Sequence, residues 1–247
     1  MNRFLKLFTF ISLLGMYSCA ELIQIANSIE LETPLTENEI AQGLKEALRV
    51  GTDSAAHKLS VTNGYFSDEA VKILLPEEAN IIVDNAKKIP GGEKLINDVI
   101  LSINRAAEDA AKEAGPIFFK AITEMTITDA VKILGGEDNA ATEYFKSKTY
   151  QELFALYSPK IKQSTDKKII AGYSAGQTWE SLTSKYNQLA GSFVGQMADL
   201  HKVEVELNDY LTQRALDGLF LKISNEESKI RKDPAARVTE ILRRVFK

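Results

Sequence analysis

An all-α bundle of about eight to ten helices is the fold that the 247-residue sequence predicts. Three observations carry that expectation. Apolar residues recur at spacings of three and four over most of the chain, the period at which side chains share one face of a helix. Glycine and proline pairs interrupt these stretches at intervals that suit helix ends. No series of alternating apolar and polar residues, no long repeat and no low-complexity linker is visible.

The N-terminus comes first. Asn2, Arg3 and Lys6 make a short basic start, and residues 7–16 (LFTFISLLGM) follow without a charge. About ten apolar residues are too few to cross a bilayer, which takes roughly 20. A basic start, a short apolar run and a small residue near the cut describe a secretory signal. Ser18 is that small residue, and Cys19, the only cysteine of the chain, follows it. The stretch LLGMYSC resembles a lipobox in the looser form of Bacteroidetes-type bacteria, whose cysteine carries a diacylglyceryl group and becomes the first residue after cleavage. The expected division is therefore a cleaved signal peptide over 1–18, a lipidated tether over 19–35 and a helical domain over 36–247. Acyl chains hold such a protein stably, because each buried methylene contributes about 0.8 kcal/mol. The expected location is the bacterial cell envelope, lipid-anchored, at the outer membrane facing the periplasm.

Within the domain, Thr36 and Glu39 form a capping-box pattern. Ile40, Leu44 and Leu48 then predict a first helix to about Leu59. Asn63-Gly64 marks a turn. Residues 71–75 (VKILL) are ambiguous between an extended segment and a helical turn. Pro76-Glu77-Glu78 suits a helix start, with proline at the first position and acids near the positive end of the dipole, and that helix is expected to end near Pro90-Gly91-Gly92. Leu95, Ile96, Val99, Ile100, Ile103, Ala107, Ala110 and Ala114 give the clearest stripe, whose alanine end admits a close neighbour. Gly115-Pro116 interrupts it, and residues 117–125 continue as helix. Thr128 is expected to cap residues 129–134 before Gly135-Gly136. Two short helices follow over 140–148 and 150–157, with Pro159 as punctuation. Trp179, Leu182, Tyr186, Leu189, Phe193 and Met197 predict one long helix. Asn208 is read as the cap of the next, whose inward face holds Leu211, Leu216, Leu219, Phe220, Ile223 and Ile230. Asp233-Pro234 opens a final helix with Val238, Ile241, Leu242 and Val245 on its apolar side.

Composition narrows the functional classes. Loss of residues 1–18 removes Arg3 and Lys6 and no acid, taking the net charge from −4 to −6. A mildly acidic chain argues against nucleic acid as a general partner, since phosphate contacts need a basic surface. With Cys19 acylated, no thiol remains for a disulfide, a nucleophile or a metal. His57 and His201 lack the spacing of a metal ligand set, and neither a GxSxG elbow nor a phosphate-binding GKS/T loop is present. Gly172/Gly176 and Gly191/Gly195 read as close helix contacts or loops. No cofactor is expected.

Two polar clusters remain. In Asn104-Arg105-Ala106-Ala107-Glu108-Asp109, Arg105 shares a helix face with Glu108 and Asp109. The second cluster comprises Asp217, Glu226, Glu227, Arg231, Asp233 and Arg237, with Glu227 and Arg231 four apart. Arg105, Glu108, Asp109, Asp217, Glu227, Arg231 and Arg237 are either a polar pocket or docking cluster, or an ion-pair network that fixes helix register. Paired carboxylates do acid/base work only where a cleft shifts their pKa values. The aromatics Phe118, Phe119, Tyr144, Phe145, Phe154, Tyr157, Tyr173, Trp179 and Tyr186 read as core, with an apolar ligand pocket among them as the alternative.

These stretches resemble a bacterial family catalogued as domain of unknown function 4197. The resemblance lies in Gly43-Leu44-Lys45-Glu46-Ala47-Leu48, in the Asn104 to Glu108 run, and in Pro116-Ile117-Phe118. It continues through Asp129-Ala130-Val131-Lys132-Ile133-Leu134 with Gly136, Ala140-Ala141-Thr142-Glu143-Tyr144-Phe145 and Ala215-Leu216-Asp217-Gly218-Leu219-Phe220. Ile230-Arg231-Lys232-Asp233-Pro234, Arg237 and Leu242-Arg243-Arg244-Val245-Phe246 complete it. It implies an exported, helical, often lipidated protein with no assigned activity and no catalytic residues to carry over. Three functional readings follow. The first is a non-enzymatic envelope lipoprotein, held at the membrane by its lipid, that binds another envelope protein or organises the envelope. The second is a helical carrier or sensor of an apolar small molecule or lipid. The third is a hydrolase using carboxylates around Glu108 or Glu227.

Overall fold

The computed structural model describes residues 34–80, 83, 84, 91–170, 173–197 and 202–246. The signal segment, Cys19, most of the helix expected between Pro76 and Pro90, Gly172 and His201 lie outside the described residues, as do the side chains of Leu95, Tyr173, Leu182, Tyr186 and Leu189. The chain divides into Met1–Thr36, of which only residues 34–36 are described and carry no regular structure, and Glu37–Lys247, which holds every helix given below.

The fold is all-α. Nine α-helices are bounded among the described residues: α1 (Glu37–Ser60), α2 (Gly92–Ala111), α3 (Gly115–Glu124), α4 (Ile127–Leu134), α5 (Ala140–Thr165), α6 (Ala175–Ala190), α7 (Phe193–Met197), α8 (Leu207–Lys232) and α9 (Glu240–Val245). A short antiparallel pair, β1 (Lys168–Ile170) and β2 (Tyr173–Ser174), turns the chain between α5 and α6. The long helices make the body: α8 packs against α5 and α1, α2 packs against α5, and α1 also meets α3, α4 and α9.

The long helices α1, α2, α5 and α8 bury apolar stripes. On α1 the buried residues include Ala41, Leu44, Leu48, Gly51, Ala55 and Leu59. On α2 the alanines Ala107, Ala110 and Ala111 are fully buried, with Ala114 just beyond the helix end. Phe118 sits edge-on to Phe145 at 5.5 Å and to Phe220 at 6.3 Å, which ties α3, α5 and α8 into one aromatic core. Gly218 of α8 is needed for a close approach: a Cβ there would lie 2.9 Å from the Tyr65 ring and 3.1 Å from Val71. Tyr65 uses that space to donate its hydroxyl to the Ala215 carbonyl at 2.8 Å.

Several boundaries differ from expectation, each for a local reason. α4 starts two residues early, because Thr126 and not Thr128 is the cap: Thr126 Oγ1 accepts from the Asp129 N–H and the Asp129 carboxylate accepts from the Thr126 N–H. The two short helices expected over 140–157 are one helix of 26 residues that runs through Pro159. Pro159 and Ala155, the residue one turn before it, both lie on the exposed side of the helix, where the missing hydrogen bond is tolerated. The helix expected to run on to Met197 stops at Ala190, and Phe193 and Met197 are exposed instead of buried. The cause is Asn187, whose amide accepts from the Val203 N–H and donates to the Val203 carbonyl, both at 2.8 Å, turning the chain back along α6. Trp179 adds a bond from Nε1 to the Val205 carbonyl. Glu206 precedes α8, and Asn208, expected as its cap, lies inside the helix and donates to Ser158 Oγ. Asp233 caps only a 3-10 turn (Pro234–Ala236), so the last helix begins later, behind Thr239, and leaves Val238 exposed.

Candidate functional site

Glu227 occupies a place on α8 where the stripe Leu216, Leu219, Ile223, Ile230 would put an apolar residue, and it is 7% exposed. The fold supplies what such a buried carboxylate requires. Oε1 accepts from the Ala141 N–H at 3.0 Å and from the Arg231 guanidinium at 2.9 and 3.0 Å. Oε2 accepts from the Thr142 N–H at 2.9 Å and the Thr142 hydroxyl at 2.8 Å. Asn139, the residue before α5, makes no side-chain cap bond, so Glu227 satisfies the first amides of α5 from another helix. Arg231 continues the network by donating to the Ile133 and Leu134 carbonyls at the end of α4. An acid thus sits at the positive end of one helix and a base at the negative end of another. Arg237 does the same for α8, donating to the Ile230 and Arg231 carbonyls.

The second buried carboxylate works on a loop. Glu108, 4% exposed on α2, accepts from the N–H groups of Tyr65 and Phe66 through Oε1, and from Arg105 through Oε2. Arg105 also donates to Asn63 Oδ1 at 2.7 Å. Asn63 holds a left-handed φ of 70°, which turns the chain so that the following amides face Glu108.

The seven residues singled out from the sequence therefore do not converge. Arg105 meets Glu108, and Glu227 meets Arg231 with Arg237 beside it, but the two networks share no residue. Asp109 turns away from Glu108 towards Lys112 and Lys160, and these ammonium groups, Lys160 foremost, hold its carboxyl below the usual range. Asp217 is an exposed partner of Arg214. Glu226 accepts from Ser54, Lys58 and Lys229, linking α8 to α1. Burial alone would raise its pKa, but Lys58 and Lys229 outweigh that and lower it.

Two features lie beyond the sequence reading, which named Asn104 only as a member of a polar cluster. Asn104, fully buried on α2, clamps the segment at Ile73: its Oδ1 accepts from the Ile73 N–H and its Nδ2 donates to the Ile73 carbonyl. Residues 71–75 are therefore not a helix: Val71 and Lys72 close a turn on the Asp68 carbonyl and 72–75 carry no regular structure. The signal in the sequence was an amide side chain within an apolar stripe. The other is a polar groove of about 420 Å³ between α2 and α5. Arg105 and Asp109 line one wall, Lys160 and Gln163 the other, and Ser102 and Ser164 meet at 2.6 Å between them. Lys160 crosses from α5 to Asp109 and Glu113. A pocket beside Glu227, lined mainly by Leu44, Leu48, Ile223 and Ile230, has a volume of about 20 Å³, roughly one water in size. His57 is exposed near the end of α1. Among the described residues no group of three or more His, Cys, Asp or Glu could hold a metal, and no helix is long and apolar enough to cross a membrane.

A family model described as protein of unknown function (DUF4197) matches residues 34–247, so it takes in every described helix, both carboxylate networks and the groove. The chain belongs to that family. No curated protein and no solved structure matches it. Within this family member, the buried carboxylates and the arginine next to each sit in the matched region.

Proposed function

We propose that this member of the family is a bacterial envelope lipoprotein, held by lipid on Cys19 at the outer membrane and facing the periplasm, whose helical domain works by binding another envelope protein. The observation that supports a binding role over chemistry is the use made of Glu108 and Glu227. Each directs its carboxylate oxygens to backbone N–H groups and to an arginine one turn away, so both are engaged in holding the fold together. The groove between α2 and α5 is the docking surface this reading favours, because its charges of both signs line an accessible cleft. The anchor rests on the sequence: a basic start, an uncharged run and a lone cysteine directly after Ser18.

The test has two arms. Globomycin treatment should accumulate a lipid-bearing precursor, and Cys19→Ala should release the protein from membranes; unchanged membrane association would overturn the anchor. A photocrosslinker at Gln163 should capture a reproducible partner in intact cells, and Lys167→Glu, at an exposed position on the same groove, should weaken that product. A crosslinker at Asp53, on α1, serves as the control. Equal labelling from both positions, or none from Gln163, would overturn the docking surface.

A further inference from the structure

The short helix α7 carries the most exposed large apolar side chains of the described residues. Phe193 is 76% exposed, Val194 66% and Met197 75%. Phe193 and Met197 are four apart and lie on one face of the helix, with Val194 next to Phe193. The Asn187–Val203 clamp ends α6 and leads the chain back, so α7 stands at the turn between α6 and the returning segment. Lys202 approaches Gly191 just before the knob, with its Cε 3.6 Å from where a Cβ would stand.

We infer that this knob seats in the surface of the phospholipid bilayer that holds the chain, an inference that rests on the lipid-anchor reading above. Two quantities favour lipid over protein. Three side chains supply only about half of the roughly 800 Å² per partner that a stable protein interface buries. An interfacial apolar group needs to enter only about 5–10 Å of the headgroup boundary, which one phenylalanine or methionine spans.

Reach is sufficient. α1 runs antiparallel to α8, since Gly51 lies against Ile230 while Tyr65 lies against Gly218. The start of α1 is therefore at the far end of α8 from α7. Glu37 lies about 21 Å before Gly51 along α1, and Leu207 about 35 Å before Ile230 along α8, so the starts of the two helices stand about 56 Å apart along the bundle. The 17 residues from 20 to 36 extend to about 60 Å at most. A chain tied to lipid at Cys19 therefore brings α7 to the same bilayer with the bundle tilted along the membrane, not standing upright on it.

The experiment uses residues 20–247 carrying Met197→Cys, labelled with a polarity-sensitive fluorophore; the segment contains no other cysteine. An N-terminal hexahistidine tethers it to vesicles of phosphatidylethanolamine and phosphatidylglycerol doped with nickel-chelating lipid. Tethering should shift the emission to the blue and lower iodide quenching about fivefold, as for a group inside the headgroup boundary. The same label at Val238→Cys should stay fully quenched, and Phe193→Asp should erase the shift at 197. Label 197 quenched as strongly as label 238 would overturn the inference. So would shielding that appears without vesicles as protein concentration rises, which would mean that a second copy covers the knob. The tether is independent of Cys19, so failure of acylation in cells leaves this readout standing, and a flat readout here leaves the lipid anchor untouched.

Discussion

Removal of the Glu227 carboxylate should destabilise the domain more than loss of any exposed ion pair. Glu227→Ala strips the Ala141 and Thr142 amides of their acceptor at the start of α5. It also strands Arg231, whose side chain is 11% exposed, without its counter-charge. Loss of an N-terminal cap costs about 1 kcal/mol. Breaking a buried charge pair from one side costs about 3–5 kcal/mol, because the remaining charge stays desolvated. Arg231 still donates to the Ile133 and Leu134 carbonyls, which softens that penalty, so about 3–4 kcal/mol is the expected total. The measurement is urea unfolding of residues 20–247, followed by circular dichroism at pH 7. The double variant Glu227→Met/Arg231→Met supplies the control, since removing both charges should cost less than removing Glu227 alone. A single-variant loss below about 1 kcal/mol, the size of a surface pair, would refute the argument that this contact joins α4, α5 and α8.

Other consequences can be checked in the same system. Asn104→Ala removes both bonds to Ile73 and leaves its buried N–H and carbonyl unpaired; a loss of about 2–4 kcal/mol is expected, with faster hydrogen exchange confined first to residues 71–75. An unchanged exchange rate at Ile73 would show that the amide clamp is not what orders this segment. Acid should weaken the fold through Glu226 and Asp109. Their carboxyls are held below their ordinary values in the folded state, so the stability they add is complete above the unfolded values of about 4 and is lost as pH falls through the lower folded ones. Glu226→Gln should flatten the fall in urea midpoint between pH 6 and pH 3, and an equally steep fall in the variant would remove Glu226 from the account.

Much of this architecture was legible without coordinates. The helical class, the stripes of α1, α2 and α8, and the turn at Asn63 all follow from apolar spacing and local backbone preference, which are properties of neighbours in sequence. The pairings Arg105–Glu108 and Glu227–Arg231 were legible for the same reason, being one turn apart. Helix ends were less so. The early start of α4 was encoded locally, since Thr126 stands three residues before Asp129, but Thr128 competed for the same role. Pro159 reads as a breaker in sequence, and only an exposed position allows a helix to run through it. Phe193 and Met197 continue the spacing of the preceding stripe, yet a bond between Asn187 and Val203, 16 positions apart, takes them off it.

What the residues alone determined is which faces are apolar, and hence that the chain forms helices that must pack together. What only the tertiary structure decided is the use of the polar groups on those faces. Glu227 meets amides 85 and 86 positions away and Arg231 meets carbonyls 97 and 98 away, distances in sequence at which no local preference acts. A buried charge takes whatever unsatisfied backbone the packing brings within about 3 Å, and packing is a property of the whole chain. Glu108 and Glu227, either of which the sequence offered as a chemical centre, thereby become two separate latches, one on a loop and one at a helix end.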